Sequence, residues 1–206
     1  MTRTYAILAA AAVVIGLGAS TLWVLWPRPA DRFAQCRESV IAGGAGAIGG
    51  PFAMTGADGV RRTDADIITK PTLLYFGYAF CPDVCPMDNE RNAEAVDLLA
   101  ARGHDVQPVF ISVDPARDTP EVLADFAKWA HPKMIALSGT DDEVRAAARA
   151  YRVFYKAQEA VDDFYLVDHS TFTYLVLPGH GFVEFFRREA SPAEVAERTA
   201  CFLDRQ

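Results

Sequence analysis

The stretch Thr72-Leu73-Leu74-Tyr75-Phe76-Gly77-Tyr78-Ala79-Phe80-Cys81-Pro82-Asp83-Val84-Cys85-Pro86 decides how this chain folds. Residues 72–76 are a continuous apolar run, the pattern of a strand buried on both faces. Pro86 can stand in a first helical turn, where its missing N–H would have no partner, but not deeper in a helix. A helix therefore begins at or just before Pro86, with Cys85 near its N-cap and Cys81 on the preceding loop. Unpaired backbone N–H groups and the helix dipole favour a thiolate at that place. Two thiolates there make a soft bidentate metal site or a redox pair. A structural disulfide, or two inert buried thiols, is the plainer reading of the same spacing.

Working outward, strand and helix patterns alternate. Residues 89–101 carry Ala93, Val96, Leu99 and Ala100 at helical spacing, with Gly103 as the stop. Residues 106–113 predict a second buried strand. Thr119 caps a helix with Pro120 at its first position and Val122, Leu123, Phe126 and Ala127 inward. A short strand over 135–137, a helix from Thr140 to about Tyr151 and a strand over 153–156 follow. Strands over 171–177 and 181–186 flank Pro178-Gly179-His180-Gly181, a turn. A last helix runs from Ser191-Pro192 to about Leu203. Upstream, 52–55 and 59–61 flank Ala57-Asp58-Gly59 as a hairpin. The order β-α-β-α-β-α-β-β-α calls for an α/β, three-layer, thioredoxin-like fold with a central mixed sheet, helices on both faces and an N-terminal hairpin extension.

Residues 5–26 read YAILAAAAVVIGLGASTLWVLW, without a charge. At 1.5 Å per residue such a helix crosses a hydrocarbon core of about 30 Å. Trp23 and Trp26 stand at its far end, where amphipathic rings favour the headgroup level, and Pro27 and Pro29 stop it. A cleaved signal peptide competes, because Gly18-Ala19-Ser20 offers small residues, yet the run exceeds the usual apolar stretch of about 7–15. Arg3 precedes the span whereas Arg28, Arg32 and Arg37 follow it, which does not favour an inside N-terminus by charge. The resulting organisation is an N-terminal tip (1–4), a transmembrane anchor (5–26), a tether (27–50) and a folded domain (51–206). In the tether, Ala42-Gly43-Gly44-Ala45-Gly46-Ala47-Ile48-Gly49-Gly50 is either flexible or closely apposed backbone.

The chain has 206 residues, 51% apolar and 23% charged, so a globular domain stands without needing its cysteines for stability. Net charge is −7, and Arg3 and Arg28 are the only charged residues among the first thirty, so the domain is more acidic still. That excludes the basic footprint of a nucleic-acid binder. Of four histidines, His104 follows a helix-ending glycine and His180 lies in a hairpin turn, both solvated, and His131 lies in a loop. His169 leads straight into a core strand, at an end that can face the cysteine loop.

GYAFCPDVCP (77–86), VDPARDTP (113–120) and YLVDHSTF (165–172) resemble, in order, the three signature blocks of the Sco/SenC family. The resemblance spans about 52 to 202 and includes the anchor and tether. Members are membrane-anchored copper proteins linked to assembly of cytochrome c oxidase. It implies one copper ion per chain, Cu(I) or Cu(II), held by Cys81, Cys85 and His169. It also implies a copper metallochaperone that delivers copper to, or matures, the oxidase's dinuclear copper centre. Implied partners are the copper-bearing oxidase subunit and another copper chaperone or a thioredoxin-like reductant. The implied location is the bacterial inner membrane, single-pass, with the C-terminal domain in the periplasm. Ala79 departs from relatives that carry threonine; Asp83, Asp114, Arg117, Asp118 and Asp168 match motif positions, with supporting or docking roles implied.

Soft thiolates agree with Cu(I), although Cys₂His with an open position also suits Zn²⁺. The same pair supports a second reading, a thiol–disulfide oxidoreductase that uses Cys81 and Cys85 to reduce the oxidase's copper-site cysteines. On the first reading the protein is not a turnover enzyme. A peroxidase on this fold would not need paired cysteines and a metal-type histidine. Cys36 and Cys201 lie outside the blocks; an oxidising compartment lets them pair, and two unpaired thiols is the alternative.

Overall fold

Strand β3 (Thr72–Gly77) is buried along its whole length, as its unbroken apolar run requires. The computed structural model describes residues 2–25, 31–41, 43–160 and 164–206. They divide into two units, Met1–Arg32 and Phe33–Gln206. The first contains α1 (Thr2–Leu25), whose described large apolar side chains are exposed. Among the described residues no helix is long and apolar enough to cross a membrane. The spanning anchor expected over 5–26 is therefore not shown by the fold. Trp26, Pro27 and Pro29, expected to end that helix, lie outside the described residues.

The second unit runs β1 (Ala53–Gly56), β2 (Arg61–Thr63), α2 (Asp64–Ile67), β3, α3 (Val84–Ala101), β4 (Gln107–Ser112), α4 (Pro120–Ala130) and β5 (Ile135–Ser138). It continues through α5 (Asp141–Ala150), β6 (Tyr155–Ala157), β7 (Val167–His169), β8 (Thr173–Leu177), β9 (Gly181–Phe186) and α6 (Pro192–Leu203). The main sheet has the order β2-β1-β5-β4-β3-β8-β9. β3 pairs parallel with β4, and β4 with β5; the outer pairings are antiparallel. The sheet is mixed, as the hairpin before the last helix implies.

Alternation along the central strands separates two apolar layers. Leu73, Leu175 and Leu177 join Ala95, Val96 and Leu99 of α3 and Val195 and Ala196 of α6. Leu74, Phe76, Tyr174 and Val176 join Val144, Ala147 and Ala148 of α5 on the other side. Helices thus cover both faces. Three of them start where the sequence places them, and Thr119, Thr140 and Ser191 each accept a first-turn N–H.

Several boundaries move. α3 starts at Val84, so Cys85 and Pro86 are inside its first turn, a place where proline costs no hydrogen bond. β2 lies two residues later than expected, and the helical turn α2 follows it because Thr63 and Asp66 form a reciprocal cap. The pairing of β6 with β7 in a separate two-stranded ribbon was not anticipated, since three residues are too few to display a period. Within 33–50, the described residues are closely apposed backbone rather than free chain. Phe33 and Cys36 are buried, the Glu38 and Ser39 N–H groups donate to the buried Glu184 carboxylate, and Gly49 N–H donates to Ala150 O.

Candidate metal centre

The cysteine loop leaves the C-terminal end of β3, beside the end of its parallel neighbour β4. Gly77 ends β3, and a Cβ there would lie 3.0 Å from Cys85 Sγ and 2.9 Å from the Tyr75 ring. Its missing side chain is what lets the thiol tuck against the strand. Asp83, at the N-cap of α3, makes no side-chain capping bond. Instead the Cys85 N–H donates to Cys81 Sγ at 3.3 Å, so a sulfur satisfies a first-turn N–H that would otherwise be orphaned. Cys81 and Cys85 are both buried and both free thiols.

His169 is the last residue of β7, opposite Tyr155 of β6. Its Nδ1 lies 3.0 Å from the Ser170 carbonyl oxygen. A carbonyl only accepts, so Nδ1 carries the proton and Nε2 presents a lone pair. That lone pair points to Cys85 Sγ at 3.2 Å. Tyr75 and Tyr78 meet the imidazole edge-on, with centroids 6.1 and 5.8 Å away, and confine its plane. The ligand atoms of Cys81, Cys85 and His169 all lie within 4.8 Å of one another. Cys81 and His169 line a cleft of about 330 Å³ whose walls also include Tyr78, Val84, Val167 and Asp168, and Cys85 is fully buried behind it.

The two sulfurs are electrostatically unequal. The hydrogen bond from the Cys85 thiol, helped by the Asp83 and Cys85 N–H groups, holds the Cys81 thiol far below its usual range. Sharing that proton with Cys81, together with burial, pushes the Cys85 thiol up. Cys81 is thus the thiolate on the cleft and Cys85 the protonated partner behind it. Further in, Tyr75 donates its hydroxyl to Asp88 at 2.9 Å, and burial pushes the Asp88 carboxyl up against the pull of Arg91. Asp118 accepts the Ala79 N–H at 3.0 Å and the Ser112 hydroxyl at 2.5 Å, bracing the loop just before Cys81. Burial pushes its pKa up to about 6.

The structure therefore assembles the three residues singled out from sequence and leaves the other histidines elsewhere. His131 lies in a loop as expected but is buried, with its Nε2 3.3 Å from Asp97. His104, expected in solvent, is half-buried beside Asp204 at 3.5 Å. His180 is exposed and packs edge-on against Phe33. Asp83 and Asp168 are exposed on the cleft rim. Tyr75, Tyr78 and Asp88 were not singled out; a tyrosine inside an apolar strand, whose buried hydroxyl needs a partner, was the available signal. Cys36 and Cys201 form a disulfide with Cα atoms 5.7 Å apart.

Two sulfurs and one imidazole, with one side open, can hold a soft monovalent cation in three bonds and admit a fourth ligand. Comparison with known proteins bears on which cation that is. The family model described as SCO1/SenC matches residues 42–204. Protein SenC of Rhodobacter capsulatus is 54% identical over 203 residues, 98% of this chain and 91% of that protein. The crystal structure of Arabidopsis thaliana ScoI with copper bound superposes with a TM-score of 0.74 at 41% identity. That match covers 77% of this chain and 99% of that one. Yeast Sco1 with copper bound gives 0.73 at 34% identity, over 78% and 90% of the two chains. The chain spans about half the length of the mitochondrial relatives from Arabidopsis and human, 45% and 53%.

Proposed function

The chain belongs to the SCO1/SenC family, and on that premise we propose that it is a copper metallochaperone. It carries one copper ion on Cys81, Cys85 and His169 and delivers it to, or matures, the dinuclear copper centre of cytochrome c oxidase. One observation carries this reading: three ligand atoms from two distant segments lie within 4.8 Å of one another, and two of their residues, Cys81 and His169, line an open cleft.

Each residue has a distinct task. Cys81, already a thiolate and on the cleft, captures the ion first. Cys85 gives up its proton on binding, so loading is favoured by rising pH and by reduction of the pair. His169 completes the set through Nε2, its orientation held by the bond from Nδ1 to Ser170. The open side lets an acceptor's ligand enter before the donor's ligands leave, so the ion is passed on without being released to water. Reprotonation or oxidation of the thiols discharges it.

A second reading rests on the unequal thiols. A low-pKa, cleft-facing Cys81 backed by a protonated Cys85 is the arrangement of a dithiol that attacks a disulfide. The protein then reduces the copper-site cysteines of the oxidase, and His169 is dispensable.

The apolar run 5–26 anchors the domain in the bacterial inner membrane, with the copper site in the periplasm. The uncharged sequence and the exposure of Ile7, Val14, Ile15 and Trp23 support the anchor. The disulfide, which belongs to an oxidising compartment, supports the side. The partners are the copper-bearing oxidase subunit, and a copper donor or thioredoxin-like reductant.

Anaerobic copper titration of the full chain, with its dithiol reduced or oxidised, tests the assignment. One Cu(I) per reduced chain and none per oxidised chain is expected. Uptake indifferent to thiol oxidation overturns it.

A further inference from the structure

The loop over 113–119, between β4 and α4, touches both halves of the site without supplying a ligand. Towards the cysteines, Asp118 holds the Ala79 N–H. Towards the histidine, Arg117 holds Tyr165, four positions before His169. Arg117 Nη1 donates to the Tyr165 carbonyl at 2.9 Å, and its guanidinium carbon lies 3.6 Å from the Tyr165 ring centroid. Arg117 Nε donates to Asp114 Oδ2 at 2.5 Å, and the Tyr165 hydroxyl donates to Asp114 Oδ1 at 2.8 Å. The same guanidinium stands 5.4 Å from the Phe80 ring and 5.6 Å from the Tyr78 ring, both on the cysteine loop.

β7 needs such a tie. It has three residues, pairs only with β6, and is not hydrogen-bonded into the main sheet. A two-stranded ribbon is marginal by itself, and this one sends only Val167 and Tyr155 into the main apolar core among the described residues, so a further tie is needed to hold the imidazole at a fixed distance from two sulfurs. Arg117 spans the gap with a planar fork and a π face at once, which a lysine cannot do. Its Nη2 is buried without a hydrogen-bond partner. Three aromatic faces around the cation offset that loss.

We propose that Arg117 is a positioning residue, a pin that ties the His169-bearing segment to the cysteine-bearing loop and so sets the copper site's third bond. This rests on the copper reading of the site. The test uses the full reduced chain in detergent micelles, with Cu(I) affinity read by chelator competition. The midpoint potential of the Cys81/Cys85 couple is read alongside it.

Arg117→Ala weakens Cu(I) binding by about 10–100-fold, the usual range for a group that orients a metal ligand. Arg117→Lys restores part of it. The midpoint potential stays at the parent value, because His169 takes no part in the thiol couple. In a His169→Ala background the Arg117→Ala substitution has no further effect on affinity, since there is no imidazole left to place. An equal loss in that background, no loss at all, or a displaced potential overturns the proposal. If Arg117→Ala does not fold, Tyr165→Phe removes only the hydroxyl bond to Asp114. Its smaller loss must also vanish in the His169→Ala background. A parent protein that takes up no Cu(I) overturns the copper reading, and this proposal with it.

Discussion

The Nε2 of His169 stands 3.2 Å from the Sγ of Cys85, across 84 positions of sequence. That proximity separates a metal carrier from a plain dithiol. A redox pair needs only Cys81 and Cys85, whereas a third ligand has to be brought from the far side of β4, α4, β5 and α5.

His169→Ala accordingly separates the two activities. Cu(I) affinity falls by more than the roughly 10–100-fold expected for a merely orienting residue. Reduction of a disulfide substrate proceeds at the parental rate. Chelator competition and a thiol-exchange assay on the same preparation measure both. A variant that binds copper like the parent removes His169 from the ligand set.

Gly77→Ala tests the packing of the thiol. The new Cβ meets Cys85 Sγ and the Phe110 ring at 3.0 Å and the Tyr75 ring at 2.9 Å. Those rings are fully buried and cannot swing aside. Overpacking of this kind costs about 1–3 kcal/mol, read as a lower midpoint in chemical denaturation. Because the sulfur itself must shift, copper affinity falls too. A variant with parental affinity would show that the sulfur has room to spare.

Asp118 gives a pH signature. Its folded-state pKa is about 6 against an ordinary 3.8, so between those values the folded state binds more protons than the unfolded one. Its contribution to stability is complete below pH 3.8 and is lost as pH rises to 6, about 3 kcal/mol in all. Asp118→Asn should gain stability relative to the parent as pH rises through that window, read as the difference in unfolding temperature measured calorimetrically for both proteins from pH 4 to 7. Parallel curves would refute the assignment.

Cys36→Ser should leave the copper site unchanged and loosen the opposite end. Phe33 and Cys36 pack with Leu73, at the start of β3, whereas the copper ligands lie past its end. Loss of the disulfide costs about 2–5 kcal/mol. Hydrogen exchange should rise across 33–50 and in α6, with Cu(I) affinity at the parental value. Unchanged exchange in 33–50 would mean that the Glu184 contacts alone hold this segment.

The local elements were legible because their causes are local. The apolar run of β3, the helix starts at Thr119, Thr140 and Ser191-Pro192, and the Pro178–Gly181 turn each state their structure within a few residues. The cysteine pair was legible as chemistry for the same reason, since Pro86 dates the helix start. The β6–β7 ribbon was not, because three-residue strands have no period and their pairing is decided by what they pack against. Nor was the closeness of 33–50 to the domain: small residues allow close approach but do not say to what.

Taken alone, the sequence determines an α/β chain whose two thiols sit at a strand-to-helix junction, because backbone propensity and hydrogen-bond satisfaction act over a turn or less. Whether those thiols have an imidazole partner, whether Cys36 meets Cys201, and which thiol holds the proton belong to the tertiary structure. Distances between side chains remote in sequence, and the burial that unbalances their proton affinities, exist only once the sheet has closed and the loops at its end have met.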